Sequence, residues 1–237
     1  MTTSSFPSLP SFCSPQDNDP WYYEATLCQH GFSAIGGVDE AGRGPLAGPV
    51  IASCVVLPAE RPTAFYKDSK IISSTKREEL FHSLQASDAV IGVGKVGARE
   101  IESLNIHQAS LVAMQRAVAD CQKKISDRDI DFLLVDGKFQ VPLPLSQLPL
   151  IKGESKSFSI AAASIVAKVT RDKLMADYHQ AYPEYNFQKN QGYPTKEHRL
   201  ALKEYGPCPL HRRTFKGVRE YWQEGEQPRS SEQGNLW

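Results

Sequence analysis

Two adjacent carboxylates, Asp39 and Glu40, follow an apolar segment and directly precede a turn rich in glycine. The stretch from residue 37 to residue 50 reads GVDEAGRGPLAGPV. Glycines let a ligand approach the backbone, and Arg43 offers several donors to a phosphate, so this arrangement is typical of a metal-dependent active site. Asp, Glu, Gly and Pro are also ordinary turn residues, and a solvated turn stays an alternative. Neighbouring side chains on a strand point to opposite faces, so both acids serve one site only if the strand ends or distorts there.

Two further carboxylates could join this pair. Asp136 ends the apolar segment IDFLLVD, and Asp172 lies in a long predicted helix, on one face with Ser164 and Lys168 at a spacing of four. Strand ends of an α/β sheet open onto a common crevice. Hard cations such as Mg²⁺ take oxygen ligands, and two of them can activate a water and stabilise the leaving oxygen of a phosphodiester. The pattern therefore favours a metal-dependent phosphodiester hydrolase.

Both of these acids also have a structural interpretation. An Asp before a glycine, as at Asp136, is frequent where a strand enters a turn. Asp172 could form a surface ion pair with Lys168 or Arg171.

The elements around these residues are predicted to form an α/β fold with a mixed sheet flanked by helices. Apolar runs predict strands over 34–39, 49–57, 89–96 and 130–136 and near 148–151. Helical spacing and capping residues predict helices over 20–30, 74–85, 158–181 and 195–205 and one opened by Asn105. The first two strands are joined by a tight turn and should pair antiparallel.

Composition is that of an ordinary globular chain of 237 residues, with 41% hydrophobic and 23% charged residues. No apolar run approaches the ~20 residues of a membrane span. The N-terminus lacks the basic and apolar regions of a secretory signal. The five cysteines are scattered and include no C-x-x-C pair, which favours reduced thiols in the cytoplasm.

Charge is unevenly distributed in a chain whose formal net charge is zero. Eight basic residues lie between residues 189 and 219, against the two acids Glu197 and Glu204. They are Lys189, Lys196, Arg199, Lys203, Arg212, Arg213, Lys216 and Arg219, with His198 and His211 among them. Such a segment could hold a polyanion, although a solvated basic face is the alternative.

Several segments together resemble bacterial ribonuclease HII, a type 2 ribonuclease H. They are GVDEAGRGPLAGPV (37–50), DSK (68–70), LNIHQASLVAMQRAV (104–118), VDG (135–137), IAAASIVAKVTRDKLM (160–175), GYPT (192–195) and HRRTF (211–215). The resemblance implies a ribonuclease H-like sheet with a helical C-terminal segment. It implies hydrolysis of the RNA strand of RNA–DNA hybrids and incision 5′ to single ribonucleotides in duplex DNA. Mg²⁺ or Mn²⁺ would be required, and the products would carry 3′-hydroxyl and 5′-phosphate ends.

The resemblance also assigns roles to residues. The metal-binding and catalytic acids would be Asp39, Glu40, Asp136 and Asp172. The substrate-binding residues would be Gly42, Arg43, Gly44, Lys70 and Tyr193. The glycine loop would read the 2′-hydroxyl and the adjacent phosphate, and Tyr193 would pack on the deoxyribose that follows. This chain departs from the family pattern at Ile71, where many relatives carry a second lysine, and at Glu154, where Asp is commoner.

The domain organisation is predicted in three parts. Residues 1–33 would be an extension made of a disordered lead and a short helix, 34–222 the catalytic domain with its basic segment, and 223–237 a disordered tail. The alternative is a ribonuclease HIII-like enzyme that acts mainly on long hybrids. That family typically lacks the Gly-Arg-Gly loop and carries a further N-terminal domain. A binding module without catalysis is disfavoured because all four acids are present.

The tail ends in a glutamine followed by a leucine–aromatic pair, Gln233, Leu236 and Trp237. This pattern looks like the short peptides that dock into the bacterial sliding clamp, and an uninformative tail is the alternative. No membrane partner is expected, and the protein is predicted to be a monomer.

Overall fold

The computed structural model describes residues 10, 12, 19–60, 72–126 and 128–222. Lys70, most of the predicted lead and the whole tail with Gln233, Leu236 and Trp237 lie outside these residues. No helix in the described ranges combines the length and the apolar character needed to cross a membrane.

A five-stranded sheet forms the centre of the fold. Its strands are β1 (Ile35–Ala41), β2 (Val50–Val56), β3 (Val90–Val96), β4 (Phe132–Asp136) and β5 (Ser146–Leu150). They lie in the order β3-β2-β1-β4-β5. The pairs β1–β2 and β2–β3 are antiparallel, whereas β1–β4 and β4–β5 are parallel. The predicted mixed sheet and antiparallel first pair are confirmed.

Six helices accompany the sheet within the described residues. They are α1 (Tyr22–Gln29), α2 (Ser74–Gln85), α3 (Ala98–Lys124), α4 (Phe158–Ala181), α5 (Phe187–Asn190) and α6 (Lys196–Tyr205). The ends of α2 and α4 match the prediction because each has a serine that caps its first turn: Ser73 accepts from the amide of Lys76, and Ser157 from that of Ile160.

Different helices cover the two faces of the sheet, as the alternating side chains of β2 show. Ala52 and Cys54 pack into the core shared with α3, whereas Val55 packs into the core shared with α2 and α4. The approach of α4 is close: a side chain at Gly37 of β1 would meet the backbone of Ser159 at 2.1 Å. Odd-numbered residues of β1 therefore face α4.

Asn105 opens a helical segment as predicted, but a further helical segment of about two turns, which begins at Ala98, precedes it. Its φ of 64° is not helical and kinks α3, while its Oδ1 accepts from the amides of His107 and Gln108. Asn tolerates the left-handed region and caps well, so it serves both segments at once.

Helix α1 is packed onto the start of α4 by a buried carboxylate. Oε1 of Glu24 accepts from the hydroxyls of Ser157 and Ser159 and from the amide of Ser159, at 2.6–2.9 Å. Tyr23 and Leu27 of the same helix are buried against β4 and β5. The structure thus joins α1 to the start of α4, the helix that carries Asp172.

Candidate active site

Two acids stand side by side at the ends of the adjacent parallel strands β1 and β4. Val38 is in register with Val135, so Asp39 and Asp136 are the next residues on neighbouring strands. Leu134 packs with Ile160 of α4, and side chains alternate along a strand, so both acids point toward the face that α4 covers. Backbone pairing, rather than a flexible loop, sets their separation.

A cavity of about 300 Å³ opens at these strand ends. Its wall combines acids, the glycine turn and residues of α4 with one aromatic ring. It is lined by Asp39, Glu40, Ala41, Gly42, Arg43, Gly44, Asp136, Ser164, Lys168, Arg171 and Tyr193. Seven of the residues that the sequence analysis singled out for the site therefore meet in one place.

Asp39 is almost fully buried at the base of this cavity, with 4% of its surface exposed. Its Oδ1 accepts from the amide of Glu40 at 2.7 Å, and Ser164 also hydrogen-bonds to the carboxylate. Burial, reinforced by the charges of Glu40 and Asp136, raises its pKa well above the usual value. The carboxylate therefore lies where a positive charge would be strongly stabilised.

Asp136 accepts from the amide of Gly153 at 2.7 Å, just after β5. Burial, together with a hydrogen bond and charge repulsion from Glu154, raises its pKa to about 7. Glu154 is itself buried. The sequence had marked Glu154 only as a departure from the family pattern, and the structure makes it the neighbour of a site carboxylate.

Glu40 lies on the opposite face of β1 from Asp39, yet both line the cavity. The strand ends at Ala41, so the cavity reaches around its tip. Oε1 of Glu40 accepts from Nη1 of Arg43 at 3.1 Å. Because the strand ends here, Asp39 and Glu40 can both line the cavity although their side chains point to opposite faces of β1.

Asp172 is the one predicted acid that does not line the cavity. Its Oδ1 accepts from Nζ of Lys168 at 2.7 Å, and Nη1 of Arg77 lies 4.0 Å from its Oδ2. The ion pair with Lys168 is the structural alternative that the spacing had left open. Lys168 lines the cavity, so Asp172 stands one helical turn behind it.

The glycine turn has a conformation that requires glycine at Gly42. Its φ is +97°, and a Cβ there would lie 2.1 Å from Nε of Arg171 and 2.6 Å from the carbonyl oxygen of Pro49. At Gly44, by contrast, the nearest atom to an added Cβ is Cε1 of Tyr193, at 3.7 Å. The turn and the tyrosine ring therefore lie against each other at the mouth of the cavity.

Tyr193 is 42% exposed, and its backbone is held by two buried histidines. The amide of Cys208 donates to Nδ1 of His211, so the proton of that ring is on Nε2. His211 then donates to Nε2 of His198 at 2.9 Å, and Nδ1 of His198 donates to the carbonyl of Tyr193 at 2.9 Å. These histidines had been noted only as members of the basic segment.

Arg171 is a further cavity residue whose role the sequence analysis missed, because it was considered only as a partner of Asp172. It is 1% exposed and interrupts the buried stripe Ala167–Met175 of α4, at a spacing of four from each. A charged residue within an apolar stripe is the signal that could have identified it.

Comparison with known proteins decides the family. Residues 36–218 match the family model described as Ribonuclease HII. The chain belongs to the ribonuclease HII family. Ribonuclease HII of Desulfotalea psychrophila is 56% identical over 207 residues, which cover 87% of this chain and 90% of that relative. This ribonuclease HII is accordingly a type 2 ribonuclease H, an enzyme that acts on RNA–DNA hybrids.

Solved structures agree on the fold. The complex of ribonuclease HII with PCNA from Archaeoglobus fulgidus matches with a TM-score of 0.63 and 21% identity, covering 78% of this chain and 96% of that one. Bst-RNase HIII in complex with Mn²⁺ matches with a TM-score of 0.65 and 15% identity, covering 88% and 74%. Both carry the ribonuclease H-like fold that the resemblance implied.

Ribonucleases H depend on divalent metals, and the donors of this ribonuclease HII suit such ions. Across the described ranges, no three His, Cys, Asp or Glu side chains are arranged to hold a metal ion together. The chemistry of the set nevertheless fits: Asp39, Glu40 and Asp136 offer only oxygen ligands to one cavity. Burial and then the charges of Glu40 and Asp136 raise the pKa of Asp39, and a divalent cation would relieve the repulsion among these acids.

Proposed function

We propose that this ribonuclease HII incises duplex DNA 5′ to single embedded ribonucleotides, in addition to hydrolysing the RNA strand of hybrids. One observation carries the proposal: the glycine turn, Tyr193 and the acids Asp39, Glu40 and Asp136 border the same cavity. A group that distinguishes RNA from DNA must contact the 2′-hydroxyl, and here such groups adjoin the acids.

Asp39, Glu40 and Asp136 are proposed to hold Mg²⁺ or Mn²⁺, with Asp172 joining them when it leaves Lys168. Bound divalent ions supply a water of lowered pKa and neutralise charge on the phosphate, and the products then carry 3′-hydroxyl and 5′-phosphate ends. Ser164 keeps the Asp39 carboxylate in place by its hydrogen bond. Gly153 does the same for Asp136.

Recognition of the ribonucleotide is assigned to Gly42, Arg43, Gly44 and Tyr193. Arg43 is half exposed and offers donors to a phosphate even while it contacts Glu40. The ring of Tyr193 lies beside Gly44, where it could pack on the deoxyribose after the ribonucleotide and reject a second 2′-hydroxyl. Lys70 is proposed as a phosphate contact from its sequence match alone.

The alternative is a ribonuclease HIII-like preference for long hybrids, since Bst-RNase HIII shares the fold. The Gly-Arg-Gly turn beside Tyr193 favours the first proposal because it adds a local contact that a long hybrid does not need.

The deciding experiment compares three duplexes of one sequence: DNA with a single ribonucleotide, a full RNA–DNA hybrid, and DNA alone. Each is incubated with purified protein with and without Mg²⁺ or Mn²⁺. We expect metal-dependent incision 5′ to the single ribonucleotide. Cleavage of the hybrid alone would instead support the HIII-like preference, and cleavage of neither would contradict both.

Two further proposals concern a protein partner and the location of the protein in the cell. Docking of Gln233, Leu236 and Trp237 to a sliding clamp is supported by their sequence pattern and by the PCNA complex of the Archaeoglobus fulgidus protein. Equal clamp binding by the full chain and by a chain truncated after Glu232 would refute it. A cytoplasmic monomer is proposed, and the free thiols of Cys28, Cys54, Cys121 and Cys208 support the cytoplasmic location.

A further inference from the structure

The guanidinium of Arg212 lies entirely under the glycine turn. The residue is 0% exposed, and all of its recorded hydrogen bonds go to backbone carbonyls of that turn. Nη1 donates to Arg43 at 2.9 Å, Nη2 donates to Gly42 and Gly48, and Nε donates to Gly48 at 3.0 Å. One side chain thus fixes the orientation of three peptide groups.

Arg171 holds the other end of the same turn. Its Nε donates to the carbonyl of Pro49 at 3.1 Å, and its Nη2 donates to that of Ala47 at 3.2 Å. Its Nη1 is buried and has no hydrogen-bond partner among the residues that the structure describes. Together the two arginines bind five carbonyls between residues 42 and 49.

This arrangement determines where the amides of the turn point. In a trans peptide the carbonyl of one residue and the N–H of the next point in opposite directions. The carbonyls of Gly42 and Arg43 point toward Arg212, so the amides of Arg43 and Gly44 point away from it. Both of these residues line the cavity. The turn therefore presents two neighbouring N–H donors that point away from Arg212, in residues that line the cavity.

The two arginines also place positive charge beneath the turn, and neither guanidinium has a close ion-pair partner in the described part of the chain. Within the described part of the chain, no carboxylate lies within 4.0 Å of either guanidinium in an ion pair. Burial and the nearby charge of Arg171 lower the pKa of Arg212 to about 9. Two buried guanidinium groups without a close carboxylate partner favour the binding of an anion near the turn.

We propose that Arg212, supported by Arg171, is a positioning residue for ribonucleotide recognition: it turns the carbonyls of the glycine turn inward and so aims the amides of Arg43 and Gly44 at the substrate. The inference rests on the proposed function because it concerns the same cavity. Arg212, in the HRRTF segment, thus helps to distinguish a ribonucleotide from DNA without direct contact with the nucleic acid.

The test compares binding to two duplexes, one with a single ribonucleotide and one of DNA alone, in EDTA so that no cleavage occurs. Arg212→Lys keeps the positive charge but cannot donate to three carbonyls. We expect the preference for the ribonucleotide duplex to fall about tenfold, the value of one or two lost hydrogen bonds, while affinity for plain DNA stays nearly the same. A variant that is merely less stable would lose both affinities alike.

Arg116→Lys is the matched control. Arg116 also donates to a backbone carbonyl, that of Lys95, and pairs with Glu100, but it lies on α3 outside the cavity. Its substitution should leave the preference unchanged. An Arg212→Lys protein that keeps the wild-type preference would overturn the inference.

A second measurement uses the unaltered protein, in case Arg212→Lys does not fold. In ¹⁵N NMR, the amides of Arg43 and Gly44 should exchange rapidly with solvent and shift on addition of the ribonucleotide duplex. Slow exchange without a shift would overturn the inference. If the wild type binds both duplexes equally, the proposed function fails, but rapid exchange of these two amides would still support their orientation.

Discussion

Nζ of Lys168 lies 2.7 Å from Oδ1 of Asp172, one turn further along α4. Both side chains are about a quarter exposed, and Nη1 of Arg77 approaches the same carboxylate at 4.0 Å. The acid that the resemblance assigns to metal binding is thus neutralised by a lysine that itself lines the cavity. A metal ion that uses Asp172 must compete with Lys168 for it.

Lys168→Gln should therefore lower the metal concentration needed for half-maximal cleavage. A partly exposed ion pair is worth up to about 1 kcal/mol, so a shift of about two- to fivefold is expected. The measurement is a Mg²⁺ titration of the initial cleavage rate. Lys173→Gln is the control, since Lys173 is an exposed residue of the same helix that pairs with Glu78. An unchanged or higher metal requirement would contradict the competition.

Asp39→Asn should abolish turnover while leaving the fold intact. The Asn side chain carries no charge, so it removes the repulsion that Glu40 and Asp136 exert on the buried carboxylate. Its side-chain oxygen can still accept a hydrogen bond from the backbone N–H of Glu40. We expect a loss of activity on the order of a thousandfold or more, with a melting temperature equal to or above that of the wild type. Asp177→Asn, at an exposed position of α4, serves as the control. Near-wild-type cleavage by Asp39→Asn would refute the assignment.

Gly42→Ala should lower the stability of the protein, whereas Gly44→Ala should not. At Gly42 the positive φ and the contact with Arg171 predict a loss of about 2–5 kcal/mol in the free energy of unfolding. At Gly44 an added methyl group has room and would lie in ordinary van der Waals contact with the ring of Tyr193, so stability should be unchanged. Urea unfolding of both variants gives the comparison, and equal stability losses would contradict this description of the turn.

Tyr193→Ala should reduce incision at single ribonucleotides more than it weakens binding to duplex DNA. The ring is 42% exposed beside Gly44, so its removal takes away contact area without disturbing the core. Tyr193→Phe keeps the ring and should retain most of the activity. The ratio of kcat/KM on the single-ribonucleotide duplex to that on a long hybrid measures the effect. The same ratio in Tyr193→Ala and wild type would remove the tyrosine from recognition.

The pair His198–His211 should make stability fall on acidification. Burial lowers the pKa of His198, and burial and the neighbouring His198 lower that of His211 to about 3, from an ordinary value of 6.5. The unfolded chain then binds more protons than the folded one below pH 6.5, so the contribution present above that pH is lost as the pH falls. With its pKa near 3, His211 should cost about 1.4 kcal/mol at pH 5.5, and His198 should add to this in the same direction.

Comparison of wild type with His211→Gln isolates this contribution from that of the carboxylates. The variant should be less stable at pH 7.5 but should lose less stability between pH 7.5 and pH 5.5, as followed by thermal unfolding. Parallel pH profiles for the two proteins would contradict a neutral, buried pair.

Local patterns were sufficient to predict the parts of the site that a single element determines. The apolar run before Asp39 and the glycine turn after it predicted the antiparallel pair β1–β2, because a short turn leaves few other pairings. The predicted helix over 158–181 matches α4, and its spacing of four predicted the face shared by Ser164 and Lys168.

Contacts between distant segments could not be predicted in the same way. Arg212 was counted in the basic segment that could hold a polyanion or form a solvated face, although it is buried under a turn 170 residues away in the chain. Likewise, spacing placed Asp172 and Lys168 on one face but could not show whether they pair or serve the cavity separately. Nothing in a local pattern distinguishes a solvated charge from one that binds carbonyls across the fold.

The parallel pairing of β1 with β4 has a consequence for the order of events during folding. Asp39 and Asp136 become neighbours only when this pairing forms, and Ala34 and Asp131 at its other end are 97 residues apart in the chain. Pairings of such separation carry a large loop-closure entropy and form slowly. If Asp39 and Asp136 act in catalysis as proposed, a nascent or partly refolded chain should not cut nucleic acid, and the recovery of cleavage during refolding should report when β1 and β4 have paired.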